Sequence, residues 1–149
     1  VKSRRKAIEQ DFEEIFVLIK EFSVFQKTPE KVTVTPGQMI QDKDMFQCLV
    51  AVTGDKKIIG FASYFFTYYS WSGKGLYLDD LYVQDFFRKQ QIGKKLLDAV
   101  IDIARKENCK KVRWLVSNWN TNAIEFYKKM GAVIDSTDVN CDLILEDEN

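Results

Sequence analysis

The sequence predicts an α+β fold, a mixed α/β arrangement in which a central mixed sheet, mostly antiparallel, is flanked by helices. Runs rich in β-branched and aromatic residues dominate the first half of the chain, and amphipathic helical stretches alternate with short apolar runs in the second. The 149 residues are 46% hydrophobic and 13% aromatic, which is enough for a substantial core. We therefore expect residues 1–149 to form a single domain.

Charge and residue usage argue against several classes of function. Lys and Arg total 22, as do Asp and Glu, so the formal net charge is zero and no nucleic-acid partner is expected. The chain has no histidine, which removes serine–histidine and cysteine–histidine nucleophile pairs and most zinc sites. A general base must then be a carboxylate, a tyrosine, a cysteine, a lysine or a water chain, and no metal is expected.

The cysteines and the hydropathy pattern favour a cytoplasmic protein. Cys48, Cys109 and Cys141 are far apart and form no CxxC pair, so we expect reduced thiols that act as small core residues. No apolar run approaches the roughly 20 residues of a membrane span. No apolar stretch follows the basic first residues, so neither a signal peptide nor a membrane partner is expected.

The first half of the chain predicts an amphipathic helix, a short helix with a loop, and then three strands. Asp11 with Glu14 resembles a capping box, and apolar residues then recur at helical spacing. The stretch Gln26–Lys43 holds both prolines and predicts a short helix with a loop. Three β-rich runs follow, the first two joined by a hairpin turn at residues 53–56: Phe46–Val52, Lys57–Tyr68 and Gly75–Val83.

The second half predicts helices that alternate with short strands. An amphipathic helix over Ile92–Lys106 is followed by Asn108 as a left-handed stop and by a nearly apolar strand over Val112–Val116. Asn120 caps a last helix, which Gly131 ends. Two strands close the predicted sheet, Ala132–Ser136 and Cys141–Glu146.

A polar loop between a predicted strand and a predicted helix carries a binding signal. It runs from Arg88 to Lys94, and the unpaired N–H groups of a helix start, three basic side chains and Gly93 together suit a pyrophosphate. An ordinary solvated helix N-terminus with surface lysines explains the segment equally well. The motifs GxxxxGK[ST] and GxGxxG are absent, so phosphoryl transfer and dinucleotide redox chemistry lack their usual support.

Two adjacent acids, Asp79 and Asp80, lie on the third predicted strand. Side chains alternate along a strand, so these two should face opposite ways and only one should face a cleft. The alternation does not choose between them. The simpler role for Asp80 is that of a structural hydrogen-bond acceptor.

Two separated motifs, Arg88-x-x-x-x-Gly93 and Asn120…Phe126-Tyr127-x-x-x-Gly131, resemble the GNAT superfamily of acyl-CoA-dependent N-acyltransferases. The chain is most similar to the spermidine/spermine N-acetyltransferase family, which includes diamine and thialysine acetyltransferases. Further matching segments span nearly the whole chain: Leu18-Ile19-Lys20-Glu21, Cys48-Leu49-Val50-Ala51, Gly60-Phe61-Ala62, Tyr64-Phe65-Phe66-Thr67-Tyr68, Trp71, Leu76-Tyr77-Leu78-Asp79-Asp80, Ile92-Gly93 and Trp119-Asn120.

The resemblance implies the GNAT fold, in which acetyl-CoA lies between the splayed parallel strands Leu76–Val83 and Val112–Val116. It implies Tyr127 as the general acid for the departing thiolate, and Asp79 as the carboxylate that meets the substrate amine, directly or through water. It also implies a homodimer. The implied cofactor-binding residues are Leu81, Tyr82, Val83, Arg88, Lys89, Gln90, Gln91, Ile92, Gly93, Lys94, Asn120, Ala123 and Tyr127. The implied substrate-binding residues are Phe25, Gln26, Trp71, Asp79 and Trp114.

The sequence departs from the family pattern at three places. Gln91 stands where the superfamily loop has its first glycine, so a side chain restricts the turn. Phe25 and Gln26 stand where the polyamine enzymes have a tyrosine and an acid, which makes a smaller amine or a lysine-like amino acid a competitor of spermidine. Asp79 is one methylene shorter than the family's usual glutamate, which favours a bridging water.

We therefore expect an acetyl-CoA-dependent N-acetyltransferase that modifies a primary amine of a small molecule, namely a polyamine, a diamine or a lysine-like amino acid. Direct attack in a ternary complex is expected, because no activated nucleophile for an acyl-enzyme is visible. The alternatives are acetylation of protein amines, a non-catalytic acyl-CoA sensor of the same fold, and a structural or partner-binding module.

Overall fold

The computed structural model describes residues 3–145. The chain divides into two compact units, one ending at Leu115 and the other beginning at Val116, so the single domain expected over residues 1–149 stays a prediction. The first unit contains β1 (Ser3–Lys6), α1 (Phe12–Phe25), α2 (Pro36–Gln41), β2 (Gln47–Val52), β3 (Ile58–Tyr69), β4 (Gly73–Val83), α3 (Ile92–Lys106) and β5 (Val112–Arg113). The second unit contains α4 (Thr121–Lys129).

A five-stranded sheet in the order β1-β2-β3-β4-β5 forms the centre of the first unit. Strands β1 to β4 are antiparallel neighbours, and β5 pairs with β4 in parallel. The predicted mixed, mostly antiparallel sheet is therefore confirmed. Strand β1 has no apolar alternation to reveal it in the sequence, because its four residues are exposed and it joins the sheet through its ladder to β2.

Helices α1 and α3 pack on opposite faces of the sheet. Val50, Phe61 and Tyr82 lie in register on one face, where they share a buried cluster with α1 residues. The neighbouring Gly60 points to the other face, where an added Cβ would lie 3.5 Å from Leu96 Cδ1 on α3. The α1 residues of that cluster are Phe12, Ile15 and Leu18.

The predicted helices are confirmed where local signals define their ends. Helix α3 spans the predicted residues, and Asn108 follows it with φ 60°. The short helix expected in the proline-containing stretch is α2, which Thr35 caps by accepting a hydrogen bond from the Gln38 N–H at 3.1 Å. Helix α4 ends before Gly131, whose φ is 98°.

The predicted capping box at Asp11 and Glu14 is wrong. The Asp11 carboxylate accepts hydrogen bonds from the Ile8 N–H at 2.8 Å and from both terminal nitrogens of Arg5 at 2.7 and 2.9 Å. The hydrogen bonds from Arg5 lower the pKa of Asp11. Glu14 instead accepts from the Ile58 N–H at 3.3 Å. Asp11 thus connects β1 to the start of α1. Its oxygens bind the Arg5 guanidinium of β1 instead of the backbone N–H groups of α1 that a capping box would use.

The two strands predicted after Gly131 are wrong. Within residues 3–145 no strand follows β5, and residue 146 of the second predicted strand lies outside the described residues. Val133 and Leu143 are 91% and 86% exposed. A segment with apolar alternation becomes a strand only where a neighbouring strand can form backbone hydrogen bonds with it. Within the described residues no strand pairs with either segment.

The strand predicted over Val112–Val116 is also shorter than expected, since β5 ends at Arg113. Leu115 is 62% exposed, so the apolar character of this run does not reflect cover on both faces. The three cysteines are free thiols, but only Cys48 is a core residue, whereas Cys109 is half-buried and Cys141 is exposed. Among residues 3–145, no helix combines the length and the apolar character that a membrane crossing requires.

Candidate functional site

Asp79 is the extra residue of a β-bulge in β4. Asp80 pairs with Ser63 and Leu78 pairs with Tyr64, so one residue of β4 has no counterpart on β3. Because neighbouring side chains alternate, Asp79 points to the face of the sheet opposite Leu78. Ser63 and Asp80 point to that same face. The expectation that the two acids face opposite ways is therefore wrong, because the bulge places both carboxylates on one face.

The face that carries the two acids is the α1 face of the sheet. Ser63 follows Phe61 by two residues on β3, and Phe61 belongs to the cluster that packs against α1. Asp80 is half-buried and Asp79 is exposed at its surface. This pair, Asp79 with Asp80, is called the acid pair below.

Burial raises the pKa of both carboxyl groups of the acid pair. The pKa of Asp80 rises to about 7, first through burial and then through the negative charge of Asp79. Reduced solvation of its carboxyl group alone raises the pKa of Asp79, although part of the residue's surface is exposed. Within residues 3–145, neither carboxylate accepts a hydrogen bond or forms an ion pair. The acid pair is therefore an uncompensated negative site that can attract an ammonium group or accept a proton near neutral pH.

The parallel ladder between β4 and β5 ends before the acid pair. Leu76 pairs with Val112 and Tyr77 pairs with Arg113, where β5 ends, while β4 continues to Val83. Such an ending agrees with the expected splay of two parallel strands. The expected role of Leu81, Tyr82 and Val83 in holding the cofactor's arm stays a prediction.

The loop between β4 and α3 contains two residues in the left-handed region. Lys89 has φ 68°, and Gln91, the N-cap of α3, has φ 62°. The Gln91 side chain makes no capping hydrogen bond. The N–H groups of Ile92, Gly93 and Lys94 thus open a helix whose geometry gives them no internal acceptor. Gln90, between the two left-handed residues, is exposed.

The start of α3 has the donors and the space that a diphosphate needs. An added Cβ at Gly93 would lie 3.8 Å from Val83 Cγ2, which is an ordinary contact, so packing does not demand glycine there. Open amides and the helix dipole favour an anion at this end. The residues present therefore fit the pyrophosphate of coenzyme A. Among residues 3–145, no three His, Cys, Asp or Glu side chains gather as a metal site.

The Arg88 side chain is held by protein groups. Its Nε donates to the Val83 carbonyl at 2.9 Å, and its guanidinium lies 4.8 Å from the Phe25 ring and 5.4 Å from the Tyr82 ring. It also pairs with Asp85 at 3.3 Å. Arg88 therefore fastens the end of β4 to the end of α1 and shapes the loop that precedes α3.

Glu21 is an acidic residue that contacts the end of β4, and the sequence analysis assigned it no role. It accepts hydrogen bonds from the Tyr82 hydroxyl at 3.2 Å and from Gln84 Nε2 at 3.3 Å. Burial and then the charge of Glu21 raise the pKa of Tyr82. The available signal is its position one helical turn before Phe25 on α1.

The expected substrate-side residues are not all brought together. Phe25 is the exposed last residue of α1, and Gln26 caps that helix through its own N–H. Trp114 directly follows β5 and is half-buried. Trp71 is fully exposed in the β3–β4 turn, and about 20 Å of strand separates that turn from Asp79. Their substrate roles stay predictions.

The second unit carries the remaining expected residues on α4. Asn120 caps this helix, since its side-chain oxygen accepts a hydrogen bond from the Ala123 N–H at 3.3 Å. Tyr127 lies two turns along and is half-buried, with its ring centroid 5.6 Å from that of Phe126. Burial raises the pKa of Tyr127, so its phenol keeps its proton at neutral pH.

Comparison with known proteins points to acetyltransferases. A model described as the acetyltransferase (GNAT) family matches residues 7–132. The thialysine N-epsilon-acetyltransferase of Mus musculus is 32% identical over 139 residues, which cover 86% of this chain and 82% of that protein. Spermidine/spermine N(1)-acetyltransferase-like protein 1 of Homo sapiens is 34% identical over 139 residues, or 87% of this chain and 20% of that protein.

The fold is likewise similar to a solved acetyltransferase. The crystal structure of an aminoglycoside acetyltransferase from an uncultured soil metagenomic sample, in complex with sisomicin, superposes with a TM-score of 0.77. The match covers 97% of this chain and 96% of that one at 19% identity, and so bears on the fold alone.

Proposed function

Because the chain belongs to the acetyltransferase (GNAT) family, we propose that it transfers the acetyl group of acetyl-CoA to a primary amine of a small molecule by direct attack in a ternary complex. The resemblance found in the sequence, the GNAT fold and the assignment as an acetyltransferase enzyme are confirmed. The acid pair, which has no cationic partner within residues 3–145, is the observation that carries the proposal for an amine substrate.

The acid pair prepares the amine for attack. A primary amine of the lysine type enters as an ammonium ion with a pKa of about 10.4, and uncompensated carboxylates attract it. Proton transfer to a group with a pKa of about 7 is uphill, but desolvation of the ammonium ion narrows the gap. The proton passes to Asp79 or Asp80, directly or through a water molecule.

The neutral amine then attacks the thioester carbonyl. A C–N bond forms while the carbonyl becomes an oxyanion, for which a backbone N–H near Leu81 is a candidate donor. The nitrogen, positively charged after the attack, loses one proton to water, and collapse of this intermediate then breaks the C–S bond, leaving a neutral amide and the thiolate of coenzyme A. Tyr127 donates its proton to that thiolate, a role that suits a phenol whose pKa burial raises.

The substrate class follows from the site and from the relatives together. Both curated relatives carry names that describe amine acetylation, of thialysine and of spermidine or spermine. We therefore propose a diamine, a polyamine or a lysine-like amino acid as acceptor and acetyl-CoA as donor. The cytoplasmic location and the homodimer also remain proposals.

A coupled assay tests this function. Thiol release from acetyl-CoA is measured over a panel of amines for the wild type, for Tyr127→Phe and for the matched control Tyr68→Phe, whose side chain is exposed. Tyr127→Phe should lower kcat by about 10²-fold or more while binding of coenzyme A is kept, and the control should leave both unchanged. Normal coenzyme A binding without thiol release for any amine would instead identify an acyl-CoA sensor.

A further inference from the structure

Two cations lie on the same face of the sheet as the acid pair. Lys111 Nζ lies 4.1 Å from the centroid of the Tyr69 ring, and the guanidinium carbon of Arg113 lies 4.8 Å from it. Arg113 is the β5 partner of Tyr77. Lys111 and Arg113 are called the cation pair below.

Tyr77 lies between the two charged pairs. Its ring stacks on Phe65 at 5.1 Å, which places it on the face that the acid pair occupies. Burial raises the pKa of Tyr77, the charge of Asp79 raises it further, and the charge of Arg113 lowers it. The Tyr77 hydroxyl is therefore affected by charges of both pairs, Asp79 and Arg113.

The Tyr69 ring is a fixed platform for the cation pair. An added Cβ at Gly75 would lie 2.5 Å from Tyr69 Cε2, so the edge of the ring occupies the space beside Gly75 that a side chain would need. Cations over an aromatic face are attracted to the ring, which holds Lys111 and Arg113 over Gly75.

The two charged pairs do not neutralise each other. In the described part of the chain, neither Lys111 nor Arg113 has a carboxylate partner, and neither member of the acid pair has a cationic one. Their separation explains this. Three residues of β4 lie between Gly75, beneath the platform, and Asp79, so the two are four steps apart, or about 13 Å along the strand.

An extended amino acid with a terminal amine has a length comparable to this distance along β4. Six bonds separate the carboxylate carbon of lysine from its terminal nitrogen, a span of ~7 Å when extended. A polar contact of ~3 Å at each end covers the rest of the distance. A diamine or a polyamine has the amine but no carboxylate, so it leaves the cation pair without a ligand.

We propose that Arg113, with Lys111 beside it, binds the carboxylate of an α-amino acid whose terminal amine lies at the acid pair. The proposal rests on the proposed function and adds a carboxylate subsite that selects amino acids over diamines. Arg113 supplies the fork of donors that a carboxylate accepts, and Tyr69 and Gly75 are positioning residues.

Lysine and cadaverine provide a matched test, because they differ only in the carboxylate. Steady-state kinetics are compared for the wild type, Arg113→Gln, Arg113→Lys and the control Lys110→Gln, which removes a neighbouring charge outside the cation pair. Arg113→Gln should raise KM for lysine about 10–100-fold and change cadaverine little. Arg113→Lys should recover part of the preference, and Lys110→Gln should behave as the wild type. Thermal melts verify that each variant is folded.

The outcomes separate this proposal from the proposed function. Equal losses for lysine and cadaverine in Arg113→Gln, or an unchanged ratio of their kcat/KM values, overturn the carboxylate subsite. A wild type that acetylates cadaverine or spermidine but not lysine overturns the subsite and leaves the proposed function standing. A wild type that acetylates no amine overturns both.

Discussion

Asp80 shares a bulged strand position with a second carboxylate, which makes its ionised form unfavourable in the folded protein. Its pKa is about 7 in the fold against an ordinary value of 3.8. Between those two pH values the folded chain holds a proton that the unfolded chain has released. The contribution of Asp80 to stability therefore falls as pH rises from about 4 to about 7, because this group binds more protons in the folded state over that window.

Replacement of Asp80 by asparagine should separate stability from activity. Asp80→Asn should raise the free energy of unfolding by about 1–3 kcal/mol at pH 8, where the wild type carries the unfavourable charge, and by little at pH 5. It should also lower kcat/KM at neutral pH and remove a limb of the pH–rate profile near 7. Denaturant melts at both pH values and the profile itself are the measurements.

The matched control for Asp80→Asn is Asp44→Asn, which removes an exposed carboxylate outside the proposed site. It should leave the pH dependence of stability and of rate unchanged. An equal gain in stability at both pH values in Asp80→Asn would show that the substitution improves packing, and that the charge is not the cause. An unchanged pH–rate profile would remove the acid pair from the proton transfer.

At the scale of elements, the start of α3 offers a test of cofactor binding that does not depend on catalysis. Gly93→Ala should keep or slightly raise stability, because an added Cβ makes only an ordinary contact with Val83 and alanine favours a helix by up to ~1 kcal/mol. It should nevertheless reduce the thermal shift that coenzyme A produces, since the new methyl group occupies the diphosphate's place.

Gln91→Gly is the companion variant to Gly93→Ala at the same turn. Gln91 is left-handed, so glycine should relieve about 1 kcal/mol of backbone strain and leave coenzyme A binding equal or tighter. Calorimetric titration with coenzyme A measures both variants. Unchanged affinity in Gly93→Ala would favour the plain solvated helix start over a diphosphate cradle.

Local signals made some elements predictable and not others. The limits of α3, the stop at Asn108 and the cap at Asn120 follow from residues close in sequence, and the structure has them. The ladder of β1 depends on a partner some 45 residues away, which no short pattern reports. The strands predicted after Gly131 failed for the same reason, because their apolar alternation says nothing about a neighbour.

The candidate site was predictable in its chemistry and only partly in its geometry. An acid on β4 and a basic loop before α3 follow from the sequence and the resemblance. The bulge that turns Asp79 and Asp80 to one face is a register effect between β3 and β4, so alternation alone gave the wrong orientation. The position of the Tyr69 ring beside Gly75 likewise depends on packing between β3 and β4, which the sequence pattern does not report.

At the scale of the whole molecule, the match to the family spans both compact units, since it runs over residues 7–132 and the division falls after Leu115. The proposed cofactor residues are likewise distributed, with the loop before α3 in the first unit and Asn120, Ala123 and Tyr127 in the second. The proposal of a single domain over residues 1–149 therefore has a thermodynamic consequence.

Unfolding should be one cooperative transition, reported identically by tryptophan fluorescence and by far-ultraviolet circular dichroism. Coenzyme A at one hundred times its dissociation constant should add about 2.7 kcal/mol to the free energy of unfolding. Hydrogen exchange followed by mass spectrometry should then slow in peptides from α3 and from α4 together. Slower exchange in α3 alone would contradict the cofactor roles proposed for Asn120 and Tyr127, because a ligand that leaves α4 unprotected does not bind there.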